Sequence, residues 1–190
     1  MSILIAPFGP QTRLGRRERR TELRRLKRHD SLSGRLAELH AIRELLERAA
    51  EVVSGGWVQG AWFTVATANG KRAVTAYDLD MADGRPVTGA CLVGAIVHAA
   101  GGPATVRSQL VQRTLDLVWH ALREDPDRPV RWCPGPRMRL MGVLELTYWN
   151  DAPGRTQGEV VNLLLTARQT AGVQREMCRT EQTALAATHV

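Results

Sequence analysis

Four kinds of side chain that cooperate in thiol chemistry occur along this chain. Gln59 precedes Cys91, and histidines and Asn150 follow it. A thiol becomes a nucleophile when a helix N-terminus lowers its pKa and an imidazole, itself oriented by a third group, removes its proton. The sequence therefore allows a small cysteine-dependent hydrolase or transferase centred on Cys91, with His98 or His120 as the base.

The surroundings of Cys91 favour a structural role over a catalytic one. Residues 92–97 are apolar, and a free cysteine in an apolar helix is usually buried and has a raised pKa. His98 lies seven residues further along the same helix, about 10 Å away at 1.5 Å per residue. His120 belongs to another helix, and no known nucleophile signature surrounds Cys91. We therefore expect no catalytic residue, no cofactor and an inert Cys91.

A turn near the end of the chain is a second candidate for chemistry. Asp151 can accept hydrogen bonds and Arg155 can clamp an anion, and loops often carry function. Turn chemistry offers a simpler explanation, since Asn and Asp side chains bond their own backbone and Trp149 can anchor the next helix. Arg155 is the one residue that turn chemistry leaves unexplained. Both roles stay open for this recognition turn, which consists of Trp149, Asn150, Asp151 and Arg155.

The strongest functional signal is positive charge near the start of the chain. The net charge is +7, and residues 11–30 hold eight Arg and one Lys against three acidic residues, so six of the seven charges lie there. Such basic runs usually bind nucleic acid or an acidic protein surface. In a helix, every fourth residue from 16 to 28 lies along one line that can follow phosphates. The predicted phosphate-binding residues are Arg13, Arg16, Arg17, Arg19, Arg20, Arg24, Arg25, Lys27 and Arg28.

Composition excludes several other classes of protein. Arg outnumbers Lys by 24 to 2, which is typical of a GC-rich genome and allows the alternative that the basic arm is only a solvated tail. The three cysteines lack C-x-x-C spacing, which argues against a zinc site or a disulfide scaffold and for a reducing compartment. No stretch approaches the ~20 apolar residues of a membrane span. We therefore expect a cytoplasmic protein without a bound metal.

The first half of the chain contains clear local signals. Apolar residues recur at spacings of three and four over residues 35–53, which predicts an amphipathic helix that Ser-Gly-Gly at 54–56 ends. Two β-prone runs flank Asn69-Gly70, the strongest short signal for a hairpin. Residues 30–34 are predicted as a break between the arm and the body.

The second half is predicted to be helical. An apolar helix starts at 88 or 89 and runs to 97, and another runs from 103 to about 123. Residues 138–148 fit either a helix or a strand. The helix over 156–171 opens with capping-box spacing, Thr-x-x-Glu, and Gly172 is predicted to break it.

These elements predict a mainly α fold, a small helical domain with one short β-hairpin behind a basic helical arm. The predicted divisions are a partly disordered basic arm (1–32), the helical domain (33–172) and a weak C-terminal helix or tail (173–190).

Three short motifs occur in a fixed order: Trp57-Val58-Gln59-Gly60, Cys91-Leu92-Val93-Gly94-Ala95 and Trp149-Asn150-Asp151. Together they resemble a family of small actinobacterial and actinophage proteins of unknown function. In that family a helix leads to Trp-x-Gln-Gly, a Cys-x-x-Gly-Ala helix follows, and Trp-Asn-Asp opens the last helix. The resemblance covers residues 36–170, omits the basic arm, and implies no established activity.

The sequence thus favours a non-enzymatic nucleic-acid-associated or assembly protein that holds phosphates through its arm. One alternative is the cysteine-dependent hydrolase or transferase centred on Cys91. The other is a protein-interaction module whose partner docks on the recognition turn.

Overall fold

The computed structural model describes residues 15–82, 84–124, 128–133 and 135–187, apart from the side chains of residues 17, 18 and 136. These residues form five α-helices and three strands, in this order: α1 (Arg16–Gly55), β1 (Phe63–Thr67), β2 (Gly70–Val74), β3 (Val87–Ala90), α2 (Leu92–Ala99), α3 (Gln109–Arg123), α4 (Pro136–Asn150) and α5 (Gln157–Ala187). The predicted fold class, mainly helical with a helix at the N-terminal end, is confirmed.

Helix α1 is one continuous helix of 40 residues. The break predicted at residues 30–34 is therefore wrong. Gly34 costs a helix only about 1 kcal/mol relative to alanine, and tertiary contacts oppose that cost. Leu32 is buried, and Ser33 Oγ accepts a hydrogen bond of 2.8 Å from Gln182 in α5. Whether residues 1–32 form a separable arm stays a prediction.

Helices α1 and α5 pack along each other and form the axis of the domain. Leu39 and Leu46 of α1 are fully buried, as are Leu164 and Ala171 of α5. Helix α5 runs for 31 residues through Gly172, so the break predicted there is wrong. A Cβ at Gly172 would lie 3.8 Å from Arg43 Nε, so the glycine sits against α1 inside this helix pair.

The predicted hairpin is part of a three-stranded antiparallel sheet with the order β2-β1-β3. Strands β1 and β2 pair as expected, with Thr67 opposite Gly70. Strand β3 pairs with the other edge of β1, Ala90 lying opposite Phe63. The helix predicted to start at residue 88 or 89 therefore starts later, at Leu92, because residues 87–90 complete the sheet.

Helix α2 lies at the centre of the molecule, and its residues 92–97 are all buried. Helix α3 starts after Ser108, whose Oγ accepts from the Val111 N–H at 3.3 Å. The ambiguous stretch 138–148 belongs to α4, which packs on α2 and α3. Within the described residues, no helix combines the length and apolar character that crossing a membrane requires.

Candidate functional site

Four cations of α1 form an exposed set that we call the basic row: Arg16, Arg20, Arg24 and Lys27. At 1.5 Å per residue, the row extends for about 16 Å along the helix axis. The ion pairs in this half of α1 use other residues, so within the described chain the row faces solvent without an acidic partner. An exposed cationic row of this kind can hold successive anionic groups.

Two of the predicted phosphate-binding residues are instead paired with acids. Arg25 donates two hydrogen bonds to Glu22, of 2.9 Å and 2.6 Å, and this bonding raises the pKa of the guanidinium. Arg28 Nε donates to Glu181 Oε1 of α5 at 2.9 Å. Arg19 is exposed. Arg13 and the side chain of Arg17 lie outside the described residues.

The recognition turn encloses a buried amide. Asn150, the last residue of α4, has no exposed surface. Its Oδ1 accepts from Trp57 Nε1 at 2.9 Å and from the Leu92 N–H at 3.1 Å. Its Nδ2 donates to Val58 O at 3.1 Å and to Asp151 Oδ1 at 2.7 Å. All four hydrogen-bonding positions of the amide are therefore occupied, and the side chain joins three segments of the chain.

The loop after α1 and the turn after α4 hold each other through further bonds. Gln59 Nε2 donates to Asn150 O at 3.0 Å and to Ala152 O at 3.1 Å. The Gly60 N–H donates to Asp151 Oδ1 at 3.1 Å. We call this set of residues the Asn150 network; its members are Trp57, Val58, Gln59, Gly60, Leu92, Asn150 and Asp151.

Arg155 is the residue that turn chemistry left unexplained, and its contacts lie within the turn. Its guanidinium carbon sits 3.9 Å from the centre of the Trp149 ring, and Nε donates to Trp149 O at 3.0 Å. Its NH1 donates to Glu159 at 2.7 Å. Stacking and hydrogen bonding thus fix the arginine between the end of α4 and the start of α5.

Cys91 is the N-cap of α2, with 1 % of its surface exposed. Its Sγ accepts a hydrogen bond from the Gly94 N–H at 3.3 Å. The pKa of the thiol is raised to about 11, mainly by burial and to a smaller extent by the charge of Asp151, which together outweigh the lowering by backbone N–H groups. The group is therefore a neutral thiol near pH 7. Among the described residues, no group of three or more His, Cys, Asp or Glu side chains could hold a metal ion.

Gly94 has a packing role. A Cβ on this residue would lie 2.0 Å from Trp62 O, so the start of α2 can approach the loop before β1 only with glycine there. Two residues earlier in the same helix start, the Leu92 N–H donates to Asn150.

The sequence pointed to each of these motifs separately but not to their convergence. Trp57, Cys91 and Asn150 are far apart in the chain, and only the tertiary fold brings them together. A second missed feature is the pair of Asp116 and Arg139, joined by hydrogen bonds of 3.2 Å and 3.3 Å. An aspartate within the otherwise apolar run Leu115–Val118 was the available signal, since buried carboxylates need a partner.

The fold and the Asn150 network define a class of small helical domain in which a buried asparagine joins the loop after α1, the start of α2 and the end of α4. The chain matches the family model DUF6197, a family of unknown function, over residues 37–170, and it belongs to that family. No curated protein and no solved structure gives a significant match. The matched residues contain the whole Asn150 network, whereas the basic row lies outside them.

Proposed function

We propose that this protein is a non-enzymatic nucleic-acid-associated or assembly protein that binds phosphate backbones through the basic row. The observation that carries the proposal is the exposure of Arg16, Arg20, Arg24 and Lys27 on one continuous helix, where none of them has an acidic partner among the described residues. Clustered cations of this kind release condensed counterions when they bind nucleic acid, which drives association.

Such binding positions a nucleic acid without reading its sequence. Residues 15–35 contain no Phe, Tyr or Trp on which bases could stack. Contacts between Arg or Lys and phosphate fix register and orientation and carry no base information. Six of the seven net charges lie in residues 11–30, so this part of the chain dominates the attraction.

The experiment is a salt titration of binding, followed by fluorescence anisotropy, with two unrelated DNA duplexes and one RNA duplex. The logarithm of affinity should fall with the logarithm of salt concentration by about 0.9 per phosphate contact. For the four cations of the basic row we expect a slope of about −3 to −4 on both DNA duplexes.

A triple variant tests the row itself. Replacing Arg16, Arg20 and Arg24 by Gln should weaken binding to all sequences alike and make the slope shallower by about one unit per lost contact. The matched control replaces three exposed cations of the body, Lys71, Arg72 and Arg107, by Gln. It lowers the net charge by the same three units as the test variant. Absence of binding at low salt, or equal effects of the two triple variants, would contradict the proposal.

The two alternatives draw less support from the geometry. A hydrolase needs an accessible thiolate, whereas Cys91 is buried and protonated near neutral pH. A docking turn needs free polar groups, whereas Asn150 uses all of its bonding capacity within the chain. Acidic protein surfaces carry negative charge as nucleic acid does, and absence of duplex binding at low salt would leave an acidic protein surface as the partner of the basic row.

We also propose a cytoplasmic protein from an actinobacterium or its phage. The excess of Arg over Lys supports a GC-rich source. The three cysteines are all free, which fits a reducing compartment.

A further inference from the structure

A cavity of about 520 Å³ lies between α3, residues 131–133 and α4. None of the described residues that line it belongs to the basic row or to the Asn150 network. Apolar side chains make up most of its wall: Leu115, Trp119, Trp132, Met138, Met141 and Val143. Small-molecule sites typically have volumes of about 300–1,000 Å³, an apolar wall and a few well-placed polar groups. The cavity has this size and this wall.

Gly142 keeps part of the wall open. It lies inside α4, where glycine is intrinsically unfavourable. A Cβ there would make an ordinary contact of 3.6 Å with the Trp119 ring. Alanine is therefore tolerated at this position, whereas a larger side chain would occupy space in the cavity.

One end of the cavity carries an arginine in a fixed position. Asp116 is 7 % exposed and accepts from Arg139 Nε at 3.2 Å, from Arg139 NH2 at 3.3 Å and from the Cys133 N–H at 3.2 Å. Arg139 NH2 also donates to Cys133 O at 3.3 Å. These bonds use Nε and NH2, and in the described part of the chain NH1 makes no hydrogen bond. The buried carboxylate thus holds a guanidinium with spare donors at the cavity wall.

The charges around the cavity favour an anionic ligand. Besides Asp116, the wall contains two acids, and each has a partner. Glu145 accepts from Trp119 Nε1 at 2.7 Å and pairs with Arg123 at 3.2 Å. Glu124 pairs with Arg128 at 3.6 Å. Arg131, in contrast, is exposed and has no ion pair among the described residues. Within the described wall, an anionic ligand therefore meets a cation without an ion pair, whereas each carboxylate already has a cationic partner.

We propose that this cavity binds a small amphipathic carboxylate. Its apolar body lies against Trp119, Trp132 and Met141, and its carboxylate accepts hydrogen bonds from Arg139 NH1. Planar guanidinium groups suit carboxylates in both geometry and charge. Arg131 adds attraction at the rim.

The test is calorimetric titration of the full-length protein with decanoate, with decylammonium as a chain of equal length and opposite charge, both below the concentrations at which they form micelles. A charge-assisted hydrogen bond is worth about tenfold or more in affinity. We therefore expect decanoate to bind about tenfold or more tightly than decylammonium. Equal binding of the two probes, or no binding of decanoate, would overturn the proposal.

Two pairs of variants locate the site. Gly142→Leu should abolish decanoate binding by filling the cavity, whereas Gly142→Ala should retain it. Arg139→Gln should remove the preference for decanoate over decylammonium, whereas Arg131→Gln should reduce it only partly. Arg139→Gln leaves Asp116 buried without its ion-pair partner, so circular dichroism is used to check that this variant folds. If it does not fold, the binding of decanoate to the two Gly142 variants tests the proposal. Retention of binding in Gly142→Leu would place the ligand elsewhere and overturn the proposal.

Discussion

Asn150 is a single residue on which the geometry of three segments depends. A buried amide whose oxygen and nitrogen are both hydrogen-bonded holds its neighbours in one arrangement. Removing any partner leaves a buried polar group without a hydrogen bond. The two oxygen contacts and two nitrogen contacts of Asn150 reach the loop after α1, the start of α2 and the turn after α4. Substitutions at this residue therefore test whether the network supports the fold.

Asn150→Asp should lower the free energy of unfolding by about 3 kcal/mol or more, which is the range for a broken buried network. The new carboxylate would face Val58 O and the charge of Asp151 where Asn150 now donates. Urea unfolding measures the change. Asp151→Asn keeps the oxygen that accepts from Gly60 and should cost much less. An unchanged midpoint for Asn150→Asp would show that the network contributes little.

The thiol of Cys91 makes stability depend on pH in the alkaline range. Its pKa is raised from 9.0 to about 11 by burial, so the unfolded chain loses this proton at lower pH than the folded chain. The contribution is fully present below pH 9 and is lost as pH rises towards 11. We expect a loss of about 2 to 3 kcal/mol across this range that is absent in Cys91→Ser.

The same burial predicts slow alkylation of Cys91 in the native protein. Cys133 is only partly buried and should react first at neutral pH. Mass spectrometry of the labelled peptides distinguishes the two sites. Rapid labelling of Cys91 would show an accessible thiolate and would support the hydrolase alternative.

At the level of elements, the start of α5 shows how local bonds define a helix end. The Thr156 N–H donates to Glu159 Oε2 at 2.8 Å, and the Glu159 N–H donates to Thr156 Oγ1 at 3.3 Å, which confirms the predicted capping box. The Glu159 carboxylate accepts from the Thr156 N–H and also from the Thr156 hydroxyl, at 2.9 Å, and these two bonds lower the pKa of Glu159, with Arg155 adding to the effect. The stabilisation by this carboxylate is therefore present at neutral pH and is lost as pH falls through its lowered pKa.

Thr156→Ala should cost about 1 kcal/mol, the usual value for a lost N-cap. Glu159→Ala removes the reciprocal bond and the contact with Arg155, so the two substitutions should not add. A double-mutant cycle in urea measures the coupling. Strict additivity of the two effects would show that the two side chains act independently.

For the whole molecule, the question is how far the body supports the start of α1. Leu32 is buried, Ser33 accepts from Gln182 of α5, and Arg28 pairs with Glu181. A chain lacking residues 1–32 should still unfold cooperatively, because the remaining core from Leu39 onwards is intact. It should nevertheless melt at a lower temperature than a chain lacking only residues 1–29, which keeps Leu32. Calorimetry compares the two, and a truncated chain that is insoluble or unfolds without cooperativity would show that the arm belongs to the body.

Local signals were enough to predict several parts of this protein. The hairpin at Asn69-Gly70, the end of α1 at residues 54–56 and the capping box of α5 each depend on side chains within a few positions of one another. The apolar character of α2 likewise indicated its central position, because a helix that is apolar on all sides must be buried.

Tertiary structure decided the rest. Helices α1 and α5 continue through Gly34 and Gly172 because the packing of one against the other outweighs a helix preference of about 1 kcal/mol at each glycine. Strand β3 forms because β1 offers it an edge, and the partners of Asn150 meet only when the body folds. The same holds for Arg139, whose orientation at the cavity wall comes from a carboxylate 23 positions earlier in the chain. Sequence determines such features only through contacts between distant residues, and these have no local signature.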